Sequence, residues 1–457
     1  MSRWSRLSAG RELAPRTGRR CHGSGRGGCL GVEGHRRRAH PAGLADPRRG
    51  QAAAAVPGDG RTLRVGRGRP GGDRGGAGVT AAITRRDLAV AACAGAAAAL
   101  LPRPADAAPP AVGAPVPADA LPAREASWYR KLPEGRVECQ LCPRGCQVAD
   151  AERGACGVRE NRGGTYTTLV YGAACTVHVD PIEKKPFFHV LPGAPALSFA
   201  TAGCNVECKF CQNWEISQFR PEQVAALWLP PEALAAAARQ KGVPLLAATY
   251  SEPVVFWEYV RDAAAACRGA GVRPVVVSNG YIQERPLRDV LPSLAAVKVD
   301  LKAFSERFYR EVVRGELKPV LKTIEVIRAS GCWLEIVVLL IPGLNDSEAE
   351  VRALARWVKS NLGGEVPVHF TRFHPTYRLT NLPPTPLATL ERSWRIANAE
   401  GLAFAYLGNV PGHPGESTSC PGCGARLIHR IGFEVLENTL KGGRCPTCGR
   451  TIPGVWA

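Results

Sequence analysis

Between about residue 195 and residue 412, short apolar runs alternate with amphipathic stretches of helical period. The runs ALSFAT, LLAATY, PVVVSN, AVKVDL, LEIVVLLI, PVHFTRF and AFAYLGN are mostly continuous in apolar residues. Strands buried on both faces have that pattern. The text between them, such as PEALAAAARQKG and PLATLERSWRIANAEG, places apolar residues three and four apart and predicts helices that bury one face. Several of these stretches close on a glycine (Gly242, Gly271, Gly331, Gly401) shortly before the next strand, where a helix C-terminus takes a left-handed residue. Six or seven β/α units in one direction predict an α/β fold, a parallel (β/α)6–7 sheet closed wholly or partly into a TIM-like barrel. Its site is expected at the C-terminal ends of the strands.

The text outside this region divides the rest of the chain. Residues 1–78 are Arg, Gly and Ala with almost no periodic apolar pattern, so they bury too little surface to fold; they read as disorder, or as a leader that a start at Val79 would remove. Residues 79–107 have the layout of a twin-arginine signal peptide: Arg85 and Arg86, an apolar run from Leu88 to Leu101, then Ala105 and Ala107. The run is too short for a membrane span, and Cys93 belongs to it. Export by the twin-arginine route follows as an expectation, with a cytoplasmic protein as the alternative. Residues 108–127 are rich in Pro and Ala and read as a linker. The body opens near Trp128, with a four-cysteine segment and lead-in over 128–194, the barrel over 195–412 and a second four-cysteine segment over 413–457.

Charge changes this picture little. The formal charge of +19 is concentrated in residues 1–110, which carry 20 Arg, 7 acidic residues and no Lys; the remainder is +6. The body therefore has no basic, aromatic-interleaved face, and no nucleic-acid partner is expected.

Polar, specific text follows each apolar run: AGCNVECKFCQNWE, SEP, NG, DLK, PGLNDS, FHPTY and NVPGH. The first of these carries Cys204-x3-Cys208-x2-Cys211, three thiols on one loop with no fourth Cys or His at ligand spacing beside them. Three thiolates satisfy three irons of a [4Fe-4S] cubane and leave one open for cofactor or substrate. Structural zinc needs four closed ligands, usually as two CxxC-like pairs, so the cluster is the reading favoured here.

With Phe210 before the last cysteine, the motif resembles the radical SAM signature. Enzymes of that kind bind S-adenosylmethionine (SAM) at the open iron and cleave it with one electron from the reduced cluster to methionine and a 5′-deoxyadenosyl radical that abstracts hydrogen. Other strand ends resemble those of activating enzymes of the pyruvate formate-lyase type. In TYSEP the likeness places Glu252 near the SAM ammonium, with Tyr250 and Ser251 standing where that family has glycines. Asp300 and Lys302 match an Asp-x-Lys whose charges meet the two ends of the amino acid, His374 matches a ribose-contacting histidine, and Asn279 stands at the third strand end. Over residues 128–457 the segments ECQLCPRGC, GACGVRENR, VDPIEKKPFFHVLPG, GCNVECKFCQNWEISQ, RFHPTY, GNVPGH and ENTLKGGRCPTCGRTIPGVW together resemble the radical SAM member of the AmmeMemoRadiSam system. That resemblance implies two associated proteins as partners, an electron donor, and a substrate it does not name, either a protein or peptide or a small molecule.

Two further cysteine sets flank the barrel. Cys420-x2-Cys423 and Cys445-x2-Cys448, each pair followed by glycine, read as a four-cysteine zinc ribbon, with rubredoxin-like iron as the alternative. Cys139, Cys142, Cys146 and Cys156 suffice for zinc or for a second cluster, and spacing leaves that choice open. Metal spacings thus use eleven of the 17 cysteines; Cys175, Cys267 and Cys332 lie in apolar text and read as packing residues. His178, His189, His369 and His413 read as packed or hydrogen-bonded histidines, and Lys184 and Lys185 in DPIEKKPFF as a solvated pair, unless that segment covers the open barrel. The leading reading is an enzyme. The competing class is a metal-stabilised electron-transfer or nucleic-acid-binding protein without SAM chemistry.

Overall fold

All seven apolar runs are strands of one sheet in the computed structural model, which describes residues 110–457. The sheet begins with β1 (Thr176–Pro181) and continues through β2 (Pro195–Ala200), β3 (Leu245–Ala248), β4 (Arg273–Ser278), β5 (Ala296–Asp300), β6 (Trp333–Leu340), β7 (Val368–Arg372) and β8 (Ala405–Gly408). Neighbours follow chain order, and every pairing from β2 to β8 is parallel. The first and last strands do not pair, so the barrel is partial.

Helices α1 (Pro231–Gln240), α2 (Trp257–Cys267), α3 (Glu284–Val290), α4 (Leu317–Ser330), α5 (Glu348–Leu362) and α6 (Leu387–Ala399) connect the strands. Helix α4 shows why the pattern was readable. It buries Val320, Ile324 and Ile327 on one face and stops at Gly331, whose φ of 81° suits a residue without Cβ. The three other expected glycines also take positive φ. Helix α5 starts at Ser347, whose side chain accepts from the Glu350 amide, with Glu348 and Glu350 in the first turn where the helix dipole favours negative charge.

Strand β1 was not foreseen. It runs antiparallel to β2 and extends the sheet beyond the parallel units. The chain after it is equally buried: Phe187 and Val190 join a core with Leu245 and Val275 of the barrel, and both Lys185 and Asp180 are nearly inaccessible. Lys185 is therefore not a solvated partner of Lys184. Its ammonium lies 2.7 Å from the Asp180 carboxylate and 2.9 Å from the Tyr250 hydroxyl, which also donates to Asp180. Glu335 in β6 secures the next residues, accepting from the amides of Phe188 and His189 at 3.1 and 2.9 Å and facing His369 Nε2 at 2.7 Å. His189 and His369 are thus packed and hydrogen-bonded, as expected of lone histidines.

Residues 110–457 fall in one compact unit. The four-cysteine segment has no core of its own: Trp128, Val137, Val158 and Tyr166 belong to the same apolar cluster as the barrel. The Pro/Ala stretch expected as a linker also lies on the body over its described part. The Gly113 and Val116 amides donate to the Trp228 and Ala226 carbonyls at 2.8 and 2.9 Å, and Arg124–Glu125 pairs with Thr167 and Thr168. Proline lacks an amide, so the residues between prolines make these bonds. The leader over 1–78 and the signal over 79–107 lie outside the described residues. No helix among the described residues is long and apolar enough to cross a membrane.

Candidate active site

The cysteine loop leaves β2 at Thr201 and Gly203 and is held from several sides. Its Gly203 amide donates to the Ile216 carbonyl at 2.8 Å, Glu207 and Lys209 amides donate to Val313 and Val312, and the Asn205 side chain donates to the Tyr281 carbonyl at 2.7 Å. Gly203 is required there. Its φ is 98°, and a Cβ would lie 2.5 Å from Val158 Cγ1 and 3.1 Å from the Cys156 carbonyl oxygen.

Cys204, Cys208 and Cys211 face a cleft of about 410 Å³ that is also lined by Phe210, Glu252, Asn279, Asp300 and Lys302. Burial raises the pKa of all three thiols, Cys208 to about 12, so they ionise on binding a metal rather than on their own. Backbone amides two residues on, at Val206 and Asn213, favour the thiolate forms of Cys204 and Cys211. Donors aimed at sulfur in a buried loop are what thiolates bound to iron need, and these residues fit a cluster with one open iron.

Glu252 is fully buried, and burial pushes its carboxyl up to about 7 although Ser278 Oγ at 2.6 Å and the Asn279 and Val254 amides at 2.8 and 3.1 Å donate to it. Tyr250, two residues earlier, has φ 68°: the backbone keeps a glycine-like conformation with a tyrosine in place, held there by Asp180 and Lys185. At the end of β5, Asp300 pairs with Lys302 Nζ at 3.0 Å and with Lys298 Nζ. Burial raises the Asp300 pKa, but the two ammoniums overcome it and hold the carboxylate near 2. Lys302 is depressed by burial and raised by more through Asp300, so it stays charged. Opposite charges in a buried cleft beside the thiols suit the zwitterionic end of an amino acid. Asn279 joins the two halves, donating to Asn205 Oδ1 at 2.9 Å and reaching Cys204 Sγ at 3.9 Å.

One sequence expectation fails here. His374 is exposed and is not a cleft-lining residue; on that side Thr371 and Asn409 line the cleft. The strand register placed His374 beyond β7, but Phe373 is buried and bonded to Thr385, which turns the following loop outward. Lys298 and the Lys185–Asp180–Tyr250 group were missed. A lysine inside the apolar run AVKVDL was the available signal, since an ammonium in a strand buried on both faces requires a buried partner.

The flanking sets differ in spread. Cys420 and Cys448 sulfurs are 3.6 Å apart and Cys423 and Cys445 sulfurs 3.7 Å, and all four lie within 4.8 Å of one another. Tetrahedral zinc with bonds of about 2.3 Å sets its sulfurs about 3.8 Å apart, so this group suits one ion. The text between the pairs forms the expected hairpin, Arg426–Ile431 against Glu434–Asn438. Among the described residues neither the three loop thiols nor any three of Cys139, Cys142, Cys146 and Cys156 draw within 4.8 Å.

The radical SAM superfamily model matches residues 199–355, from the end of β2 into α5. An uncharacterised protein of Methanocaldococcus jannaschii is 41% identical over 331 residues, covering 72% of this chain and 98% of that one. The chain belongs to the radical SAM superfamily. It is a radical SAM enzyme, related to activating enzymes of the pyruvate formate-lyase type: SAM is cleaved reductively at a [4Fe-4S] cluster to a 5′-deoxyadenosyl radical that takes hydrogen from a substrate. The benzylsuccinate synthase activating enzyme of Thauera aromatica is 22% identical over 173 residues, and the match spans 35% of this chain and about half (52%) of that enzyme. A radical SAM methyltransferase structure from Sphaerobacter thermophilus is similar with a TM-score of 0.40 at 15% identity, over 67% of this radical SAM chain and 82% of that one.

Proposed function

We propose that Cys204, Cys208 and Cys211 bind three irons of the cluster, that Glu252, Asp300 and Lys302 fix the amino-acid end of SAM, and that the hydrogen donor is a protein or peptide. The convergence of three thiols, Cys208 buried and Cys204 and Cys211 half-buried, with the buried Glu252 carboxyl and the half-buried Asp300–Lys302 pair in one cleft carries the first part. Glu252 accepts from the SAM ammonium in its ionised form, Lys302 faces the carboxylate, and Asp300 keeps Lys302 and Lys298 charged and placed. Asn279 positions Asn205 and with it the cysteine loop, and Phe210 packs the loop against Phe308. Closing the cleft to water is the task of the apolar lining, Val277, Val337 and Leu339.

The substrate class rests on a second, open groove of about 880 Å³ that begins at Cys204 and runs past Phe219, Arg220, Tyr377 and Arg378. Trp214 stacks on Tyr377 at 5.3 Å beside it. An exposed groove with aromatic walls and charges of both signs, Arg220 and Arg378 beside Glu152 and Glu207, fits an extended chain better than a small metabolite, and the likeness to activating enzymes supports the same reading. The test is anaerobic incubation with SAM, a reductant and a deuterium-labelled extract split by ultrafiltration. Deuterium in 5′-deoxyadenosine from the macromolecular fraction supports a protein or peptide donor; deuterium from the filtrate alone overturns it.

Three finer points belong to the same reading. The motif set over 128–457 supports membership of the AmmeMemoRadiSam system with its two associated proteins, tested by co-purification from the native host. The tight C-terminal thiols support zinc, tested by metal analysis. Arg85 and Arg86 before an apolar run support export by the twin-arginine route; a chain shortened to begin near Ala108 in the exported fraction, retained inside by the R85K/R86K change, is the expected outcome, and full-length protein in the cytoplasm regardless contradicts it.

A further inference from the structure

We infer that Cys139, Cys142, Cys146 and Cys156 hold a second [4Fe-4S] cluster, closed by four protein thiolates, that relays single electrons to the cluster at Cys204, Cys208 and Cys211; the relay rests on the radical SAM reading above.

The four thiols line a common cavity of about 20 Å³ together with Leu141, Arg159 and Tyr166. The space is about that of one water, so the spread of the thiols decides what they hold. Around a lone ion with metal–sulfur bonds of about 2.3 Å the sulfurs draw to about 3.8 Å of one another. The C-terminal set shows that collapsed form, with sulfur pairs at 3.6 and 3.7 Å, whereas no three of the N-terminal thiols come within 4.8 Å. A cubane spreads its thiolates because each binds a different iron.

Backbone amides face these sulfurs: Ala155 donates to Cys146 at 3.5 Å, and the amides of Leu141, Arg144 and Val158 favour the thiolate forms of Cys139, Cys142 and Cys156. For three of them the amide lies two residues on, as Val206 does for Cys204 and Asn213 for Cys211. Both wide sets are therefore built alike. Arg159, in the cavity wall, is neutralised by Glu258 and adds no net charge.

Four thiolates leave no iron open, so substrate has no place to coordinate and electron transfer is the remaining chemistry. The two sets are in contact. Gly203, next to Cys204, packs on the Cys156 carbonyl, and Cys156 and Cys204 line the same groove. Asn205 lines the N-terminal cavity and bonds to Asn279, which reaches Cys204. Arg144, beside Cys142, donates to the Asn205 and Arg314 carbonyls at 2.5 and 2.7 Å. In each transfer a low-potential one-electron donor is oxidised by one electron and the N-terminal cluster goes from 2+ to 1+. It then returns to 2+ as the cluster at Cys204, Cys208 and Cys211 goes from 2+ to 1+, with no bond made and no proton moved.

The experiment is metal and sulfide analysis, with Mössbauer and EPR spectra, on full-length protein purified without oxygen. About eight irons and one zinc per chain are expected; about four irons and two zincs overturn the second cluster. This count needs no variant and survives a misfolded mutant. In C142A about four irons should remain, with the SAM-perturbed EPR signal and SAM affinity intact. Formation of 5′-deoxyadenosine driven by a flavodoxin-type donor should slow at least tenfold; an unchanged rate overturns the relay. In C208A about four irons should stay at the N-terminal set. If wild-type protein holds those irons but shows no SAM-sensitive signal, the SAM-cluster reading fails while the second cluster stands.

Discussion

At the C-terminal end four thiols stand in two close pairs, Cys423 and Cys448 exposed, above a small cluster built from Phe404, Leu427 and Ile428. At the N-terminal end Cys139 and Cys142 are buried in the main core, and four thiols surround a cavity walled by barrel residues Val254 and Val255. Both sets have four ligands, the N-terminal one close before the barrel's own three-thiol loop in sequence and the C-terminal one beyond the last barrel strand. What differs is which part supports the other. A hairpin with little apolar area folds around its ion, while a set set into a large core is held open by the protein whether filled or not. Loss of metal should therefore cost structure at the C-terminus and activity in the body.

The most severe test joins the two wide sets. Gly203→Ala puts a Cβ into Val158 and the Cys156 carbonyl at a positive φ, an overpacking cost of about 1–3 kcal/mol on top of the left-handed strain. Iron should be lost from both the loop and the N-terminal set, SAM cleavage should fall below detection, and the C-terminal ion should remain. Metal analysis of the variant checks it, and full iron occupancy would refute the contact.

Next in size is Asp300→Ala. Removing the carboxylate leaves buried Lys298 and half-buried Lys302 without their counter-charge, a loss of about 2–3 kcal/mol, the low end for a desolvated pair. That converts to a SAM dissociation constant raised about a hundredfold by calorimetry, with iron content unchanged. Iron lost in parallel would make Asp300 structural instead.

Glu252 gives a smaller, pH-dependent effect. Its folded pKa of about 7 lies above the ordinary carboxyl value, so without SAM its contribution to stability is full below pH about 4.3 and is lost as pH rises through about 7. The SAM ammonium needs the ionised form. Affinity for SAM should rise about tenfold per pH unit up to about 7 and then level, and Glu252→Gln should be flat across that range. A wild-type profile that is itself flat would separate Glu252 from SAM.

The smallest change in catalysis belongs to the tight set. Cys423→Ser should release the C-terminal ion and expose residues 413–457 to protease, while 5′-deoxyadenosine formation stays within about threefold of wild type. A large loss of activity would show that the ribbon does more than close the chain's end, where Val455 pairs with Val190 and the Val455 amide donates to His189.

The parallel strands were legible because burial on both faces leaves few polar positions, such as Lys298, Glu335 and His369, to break the apolar runs, and the three-thiol loop was legible because its ligands are close in sequence. Strand β1 was not, since TVHVDP is only half-buried and its pairing depends on β2. The roles of Lys185 and Tyr250 were hidden because their partner Asp180 lies 70 residues from Tyr250. His374 was misplaced for a related reason: a strand end gives a residue's position along the barrel, while the side chain's direction is set by the Phe373–Thr385 contact that no local pattern contains. Whether four cysteines hold one ion or a cluster is likewise written in the surrounding packing, and the spacings of the two flanking sets could not separate those outcomes.

The central claim is that the cleft beside Cys204, Cys208 and Cys211 cleaves SAM, and quantifying 5′-deoxyadenosine and methionine from anaerobically reduced protein tests it most directly. Wild-type protein should form both products in equal amounts, and Cys208→Ala, with its C-terminal metal still bound, should form neither. Undiminished cleavage by Cys208→Ala, or none by wild type with its iron in place, would contradict it.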